Sequence, residues 1–151
     1  MAVKLFNHLS SSQDVRNEVT TLAQCSHASI PHLFGVNFTQ KPYFHVTYFY
    51  GPGNSPCTLH RALHSKCMSL SKSSAGKTTL QLCEALEHLQ SKRLLHRDIK
   101  SDNILVTAVN NTNHTMLIDF GKAIWLSDAP SEQKSLTAHK HEEYRKKNTD
   151  M

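Results

Sequence analysis

The residues that most constrain this chain lie between positions 95 and 121, where polar side chains come in a fixed order between apolar segments. Asp98, Lys100 and Asn103 follow one another closely, and the apolar residues 104–106 come next. A second apolar segment ends at Asp119, which is followed directly by a phenylalanine and a glycine. Carboxylate and amide oxygens are hard ligands of the kind that Mg²⁺ prefers. This region therefore supplies a candidate base, Asp98, and two candidate metal ligands, Asn103 and Asp119.

The order of HRDxKxxN, an apolar run and then DFG resembles the catalytic loop and the magnesium loop of eukaryotic protein kinases. The resemblance implies that Asp98 accepts a proton from a substrate hydroxyl, that Asn103 and Asp119 bind Mg²⁺, and that ATP and a protein are the substrates. Lys100, placed two residues after Asp98, matches the serine/threonine pattern rather than the usual tyrosine-kinase loop. A polar loop over residues 109–114 accounts for the wide interval between the two motifs.

The resemblance extends to the start of the chain. Residues 2–6 are similar to the end of the kinase strand whose lysine pairs with the ATP phosphates, which makes Lys4 the phosphate lysine. A helix predicted over about residues 12–25 carries Glu18, and the family pattern makes Glu18 the ion-pair partner of Lys4. Without the family pattern, both residues would be ordinary exposed charges.

Two segments rich in aromatic and β-branched residues, 33–36 and 43–50, are predicted to be strands that close a small lobe. By the resemblance, Thr47 falls at the gatekeeper position. The backbone from Tyr48 to Tyr50 would then form the hinge that hydrogen-bonds the edge of adenine.

The resemblance also implies how the interior of the two lobes is built. Ala2 and Leu105 would enclose the adenine ring, and Arg97 would pair with a phosphate on the activation segment. One stack of side chains would link the lobes: Leu22, Leu33, His96 and Phe120.

The remaining elements are predicted from periodicity. A short helix is expected at 59–63, and a loop rich in serine and lysine at 65–74. From Thr79 to about Arg93 the apolar spacing predicts an amphipathic helix that leads into the catalytic loop, with Ser74 as a possible cap upstream of it. Strands are expected at 104–107 and 115–118.

These features predict an α+β, two-lobed fold like that of a protein kinase, but incomplete. Residues 1–50 would form the rest of the small lobe and the hinge, and residues 51–151 the start of the large lobe with the catalytic loop, DFG and the activation segment. The chain shows no glycine-rich loop before Lys4, and the later large-lobe helices are not found. We therefore expect this stretch alone to leave the apolar face of the 79–93 helix exposed, to be marginally stable and to transfer phosphate negligibly.

Two other groups of residues offer alternative interpretations of the sequence, a phosphate-binding loop and a zinc site. Residues 71–78 end like a phosphate-binding P-loop, but a serine stands where that motif needs its first glycine, and no strand lies directly upstream. A C-x2-H-x3-H-x2-C pattern offers four zinc ligands: Cys57, His60, His64 and Cys67. On a single helix those side chains would spread over about 15 Å, too far for one ion unless the chain turns back.

Composition excludes several other classes of protein. The four cysteines form no CxxC pair and are expected to be reduced thiols. No signal-peptide pattern and no membrane-length apolar stretch is present, so a cytoplasmic protein without a membrane span is expected. The net charge of +5 suits an enzyme for an anionic nucleotide, and it could equally reflect the basic tail at 140–147. No aromatic residue interleaves with the basic ones of that tail beyond Tyr144, so a nucleic-acid site is not expected. Oligomeric state is not predicted, and the alternative to an enzyme is an inactive, kinase-like regulatory module.

Overall fold

A computed structural model of the chain describes residues 1–51, 56–64, 67, 70–109 and 112–127. Within these residues the elements run in the order β1 (Ala2–Leu5), α1 (Ser12–Ala23), β2 (Leu33–Asn37), β3 (Phe44–Thr47), α2 (Leu59–His64), α3 (Lys72–Ser91), β4 (Leu94–Leu95), a 3₁₀ turn (Ser101–Asn103), β5 (Ile104–Val109), β6 (Thr112–Leu117) and β7 (Ile124–Trp125). All strand pairs among them are antiparallel, which agrees with the expected α+β class. No helix in these ranges is long and apolar enough to cross a membrane. The predicted basic tail lies outside the described residues.

The small lobe is a three-stranded sheet in the order β1-β3-β2, with α1 packed against it. Strand β3 ends at Thr47, although the sequence pattern predicted a strand as far as residue 50. The reason is its pairing: Thr47 is the partner both of Ala2 at the start of β1 and of Leu33 at the start of β2. Beyond Thr47 neither neighbour continues, so the chain is free to leave the sheet as a connection to the next lobe.

Helix α1 begins with a reciprocal capping box, in which Ser11 accepts from the backbone of Asp14 and the Asp14 carboxylate accepts from the backbone of Ser11. Its inner face buries Val15, Val19 and Leu22, and the same face carries Glu18. The helix ends at Ala23, two residues short of the predicted end. The cap and the apolar stripe together fix the rotation that turns Glu18 toward β1.

Helix α3 begins at Lys72, well before the predicted start at Thr79. The side chain of Ser71, and not that of Ser74, caps it by accepting from the backbone of Ser74. The first two turns are largely exposed and polar, so they carry no apolar period that sequence reasoning could detect. Because Gly76, Lys77 and Thr78 are helical, they do not form the alternative phosphate-binding loop.

The expectation that the apolar face of α3 stays exposed is wrong for Leu89, although other residues of that face are exposed or only partly buried. Ala85 and Leu89 are fully buried in a core shared with Leu94 and Leu117, because α3 packs on β6 of the β5–β6 hairpin. Leu80 does stay exposed, with 59% of its surface accessible. That hairpin reaches into the segment predicted as a loop: β5 continues to Val109, and β6 begins at Thr112 in polar residues that give no apolar alternation.

The expectation of four reduced cysteines is also wrong, because Cys57 and Cys67 form a disulfide, with their Cα atoms 6.4 Å apart. Both cysteines pack against Ala62 and Val106. His60 and His64 stack on each other at 4.6 Å between ring centroids, but on the exposed face opposite the buried Ala62. The proposed zinc ligands therefore do not meet, and the described residues contain no group of three or more such side chains placed to hold a metal ion.

Candidate active site

A cavity of about 460 Å³ lies between the small sheet and the β5–β6 region. Nine of the residues predicted from the sequence as site residues line it: Ala2, Lys4, Glu18, Thr47, Tyr48, Tyr50, Asn103, Leu105 and Asp119. The other two predicted residues, Asp98 and Lys100, are not part of the lining but are joined to it through hydrogen bonds of Asp98 with Asn103. The structure thus brings the predicted residues together from both lobes.

The centre of the cavity is an ion cluster around Lys4. Its ammonium nitrogen lies 2.6 Å from Glu18 Oε1, 2.9 Å from Glu18 Oε2 and 2.8 Å from Asp119 Oδ1. The predicted ion pair of Lys4 with Glu18 is confirmed. The contact with Asp119 spans the two lobes, so one side chain of β1 connects α1 to the segment that follows β6.

All three groups of this cluster are charged near neutral pH. Burial acts to lower the pKa of Lys4, but the charge of Glu18 and hydrogen bonds to both carboxylates outweigh it, so the pKa is raised. Burial acts in the opposite sense on Glu18 and Asp119, but the contacts of Glu18 with His45 and then Lys4, and the hydrogen bond and charge of Lys4 at Asp119, leave the pKa of each carboxylate lowered. The cluster therefore holds one cation between two anions in a half-buried setting.

The loop that carries Asp98 is fixed by its own hydrogen bonds. Asn103, which is buried, donates from Nδ2 to the Asp98 backbone oxygen at 2.8 Å and to Asp98 Oδ2 at 3.0 Å. Lys100 reaches the same Oδ2 at 3.0 Å, while Lys122 reaches Oδ1 at 3.1 Å. Hydrogen bonds from Lys100 and Lys122 lower the pKa of Asp98 to about 2, so this carboxylate is ionised near neutral pH.

Beneath this loop, His96 joins the two motifs. Its ring packs edge-on against Phe120 at 4.8 Å, and Leu22 and Leu33 belong to the same apolar cluster as Phe120. His96 Nε2 lies 3.1 Å from the Ile118 carbonyl, and Nδ1 accepts from the Asp98 backbone N–H at 3.3 Å, which assigns the ring proton to Nε2. Burial lowers the pKa of His96, so the ring is neutral and can make both contacts. The predicted lobe-linking stack is therefore present.

Two residues of the site have left-handed backbone that is uncommon for side-chain-bearing residues. Arg97 has φ of 65° and Asp119 has φ of 67°. Such conformations persist only where surrounding contacts hold them, and they cluster at functional sites. Here they stand directly before Asp98 and at the start of the DFG segment.

Comparison with known proteins agrees with this geometry. Residues 1–144 match the family described as the protein kinase domain. The chain belongs to the protein kinase family. It is 31% identical to an Aurora kinase of Schizosaccharomyces pombe over 123 residues, covering 82% of this chain and 32% of that protein. It is also 30% identical to human tyrosine-protein kinase TXK, covering 85% of this chain and 23% of that protein, and 30% identical to mouse serine/threonine-protein kinase Nek3, covering 78% and 22%.

The chain spans about a third or less of the length of these kinases. The described residues accordingly form part of an α+β kinase fold, with β1 to β3 and α1 in the small lobe and the later elements in the large lobe.

Sequence reasoning missed two titratable residues at this site, His45 and Lys122. His45 lines the cavity with only 6% of its surface exposed, and its Nε2 lies 3.6 Å from Glu18 Oε1, beyond ordinary hydrogen-bond length. Strand alternation could have found it, since His45 is two residues before Thr47 and so faces the same side. Lys122 follows the DFG tripeptide, but no local pattern signals its contact with Asp98.

Proposed function

We propose that this chain carries the nucleotide and magnesium site of a protein kinase, which transfers the γ-phosphoryl group of ATP to a serine or threonine hydroxyl of a protein. The observation that carries the proposal is the single cluster in which Lys4 contacts both Glu18 and Asp119, next to a carboxylate, Asp98, that Asn103 orients. Positioning and charge stabilisation supply most of the rate in phosphoryl transfer.

One end of the cavity suits the adenine ring of ATP, and the other end suits the phosphates. Ala2, Leu105 and Thr47 line the part of the cavity that would take the adenine ring. The backbone from Tyr48 to Tyr50 lies beyond the end of β3 beside the same part of the cavity and would hydrogen-bond the ring edge. At the other end Lys4 provides the cation that phosphate oxygens need.

The donor set also fits Mg²⁺, which proteins bind through one or two carboxylates together with phosphate oxygens. Asp119 supplies a carboxylate, and Asn103 supplies an amide oxygen, because its amide nitrogen is already used in hydrogen bonds to Asp98. Asp119 and Asn103 would hold the ion, whose charge offsets that of the phosphates when it is bound.

Asp98 would receive the acceptor proton. The O–H bond of the acceptor breaks as its oxygen bonds to the γ-phosphorus, the proton passes to the carboxylate, and ADP leaves with the bonding electrons of the broken O–P bond. Asn103 holds the carboxylate in place, and Lys100 stands beside it to interact with the transferring group. The similar kinases include both a serine/threonine enzyme and a tyrosine enzyme by name, so they do not decide the acceptor. Lys100 supports serine and threonine, because its position two residues after Asp98 matches the serine/threonine pattern.

The test is phosphotransfer by the natural protein that carries this sequence, with serine, threonine and tyrosine peptides as acceptors. We expect Asp98→Asn to lower turnover by about 10²- to 10⁴-fold, the usual contribution of a general base. Asp102→Asn is the matched control, because Asp102 is an exposed carboxylate on the adjoining 3₁₀ turn and does not line the cavity. Near-normal turnover in Asp98→Asn, or equal losses in both variants, would contradict the role proposed for Asp98. No phosphotransfer by the wild type would contradict the proposed function and favour a regulatory module.

A further inference from the structure

The two carboxylate oxygens of Asp98 are held in different ways. Oδ2 accepts from Asn103 and Lys100, which belong to the same loop as Asp98 itself. Oδ1 accepts from Lys122, and no other described residue donates to it. Lys122 comes from the segment after DFG, and 66% of its side chain is exposed to solvent.

Only one of these oxygens can be released without disturbing the loop. Freeing Oδ2 would break the hydrogen bonds of buried Asn103, which also fix the loop backbone. Freeing Oδ1 requires only that an exposed lysine swings into water, and exposed ion pairs are weak. A hydroxyl that approaches Asp98 therefore has Oδ1 as its accessible acceptor.

We propose that Lys122 is a specificity-determining residue, which covers Oδ1 of Asp98 until the acceptor hydroxyl displaces it and then pairs with an acidic side chain of the acceptor. This inference rests on the proposed function, since it concerns the acceptor of the same phosphotransfer. The displaced ammonium loses its partner carboxylate, and an acceptor with Asp or Glu next to the hydroxyl supplies a replacement. An acceptor with a neutral neighbour leaves the ammonium to water alone.

The charges around Asp98 agree with this selection. Lys100 and Lys122 present two ammonium groups at the open side of the carboxylate, while the neutral His96 ring contacts the loop backbone from below. Asp119 is directed toward Lys4 and not toward the acceptor side. Lys100 keeps its partner Oδ2 and also interacts with the charge of Asp102, so Lys122 is the ammonium group that an approaching hydroxyl leaves without a partner carboxylate.

The first measurement does not depend on turnover. The 151-residue chain is treated with a trace of an acetylating reagent, and the acetylation rate of each lysine is quantified by mass spectrometry. We expect Lys122 to react about two- to fivefold faster in Asp98→Asn than in wild type, which corresponds to the loss of an exposed ion pair. Asp102→Asn should leave the acetylation rate of Lys122 unchanged. The acetylation rate of Lys77 on α3 serves as the internal reference in every sample. An unchanged rate at Lys122 in Asp98→Asn would overturn the inference.

The second measurement compares two serine peptides that differ only in Glu or Gln beside the serine, in the natural protein. We expect wild type and Lys122→Arg to prefer the Glu peptide by about two- to fivefold in kcat/KM, and Lys122→Met to show no preference. The inference would be overturned if Lys122→Met preferred the Glu peptide as strongly as wild type does. It would also be overturned if Lys122→Met lowered kcat for both peptides with KM unchanged, because Lys122 would then act on the transferring phosphoryl group. If the natural protein transfers no phosphate, the proposed function fails, and the acetylation result alone decides whether Lys122 covers Asp98.

Discussion

At the scale of single residues, the roles that a family motif assigns can be predicted, but the contacts between motifs are only partly predictable. Lys4, Glu18 and Asp119 were identified from their order along the chain, and the ion pair of Lys4 with Glu18 follows the family pattern. Lys122 and His45 were not identified, because their importance depends on which distant side chains the fold brings beside them. A lysine after a glycine and a histidine in a strand are ordinary in sequence.

His45 leads to a prediction about stability. Both ring nitrogens are buried without a hydrogen-bond partner among the described residues, and an unsatisfied buried polar group costs about 1–3 kcal/mol. We expect His45→Met, which fills a similar space with a flexible apolar side chain, to raise the free energy of unfolding by about 1 kcal/mol. Denaturant unfolding measures this, with the exposed His8→Met as control. A decrease would mean that the ring interacts favourably with Glu18 across their 3.6 Å separation.

At the scale of secondary structure, the sequence predicts an element well where one face is apolar and poorly where both faces are polar. Helix α1 and strand β1 lie close to their predicted positions, since apolar residues mark their inner faces. The early turns of α3 and the outer half of the β5–β6 hairpin were not predicted. A serine cap defines the start of α3, and backbone hydrogen bonds between the strands define the outer hairpin. The end of β3 is set by where its neighbours start, which no local pattern records.

The ion pair of Glu18 on α1 with Lys4 on β1 predicts that the stability of the protein depends on pH. The pKa of Glu18 is lowered in the folded protein, so its contribution to stability is complete above its unfolded value of about 4.5 and is lost as the pH falls through the folded value. We expect the free energy of unfolding of wild type to fall more steeply than that of Glu18→Gln as the pH is lowered below about 4.5. Near neutral pH, Glu18→Gln should itself destabilise the protein by about 1–3 kcal/mol.

Urea unfolding at a series of pH values checks this prediction. Glu84→Gln is the control, because Glu84 is exposed on α3 and should leave the slope of wild type unchanged. Parallel curves for wild type and Glu18→Gln would show that Glu18 is not the carboxylate that titrates with unfolding.

The disulfide between Cys57 and Cys67, on either side of α2, leads to a second prediction at the scale of secondary structure. The oxidised chain should show two reactive thiols in denaturant without reductant, those of Cys25 and Cys83, and four after reduction. Reduction should lower the free energy of unfolding by about 2–3 kcal/mol, the effect of closing a loop of this size. The double variant Cys57→Ser/Cys67→Ser should not respond to reductant. Four reactive thiols before reduction would contradict the pairing and would agree with the cytoplasmic location that we propose, where thiols stay reduced.

At the scale of the whole molecule, the two lobes meet at polar and apolar contacts that lie side by side. Lys4 bridges them through Asp119, and Leu22 packs with Phe120 in the main core. The family resemblance predicted this contact between the lobes, because the kinase motifs line the cleft between them. It did not predict that the hairpin would cover α3. The expectation of low stability stays a prediction, and its physical basis now lies mainly in exposed apolar side chains on the outer face of the small sheet, among them Val3 and Leu5.

The most direct test of the central claim, that these lobes enclose a magnesium-dependent ATP site, is equilibrium binding of a fluorescent ATP analogue to the 151-residue chain with Mg²⁺ or with EDTA. We expect Mg²⁺ to tighten binding in wild type and in Asp102→Asn, and Asp119→Asn to abolish the difference between Mg²⁺ and EDTA. Lys4→Met should weaken binding in both conditions, because a phosphate contact is lost. Binding that is absent, or that is identical with Mg²⁺ and with EDTA in wild type, would contradict it.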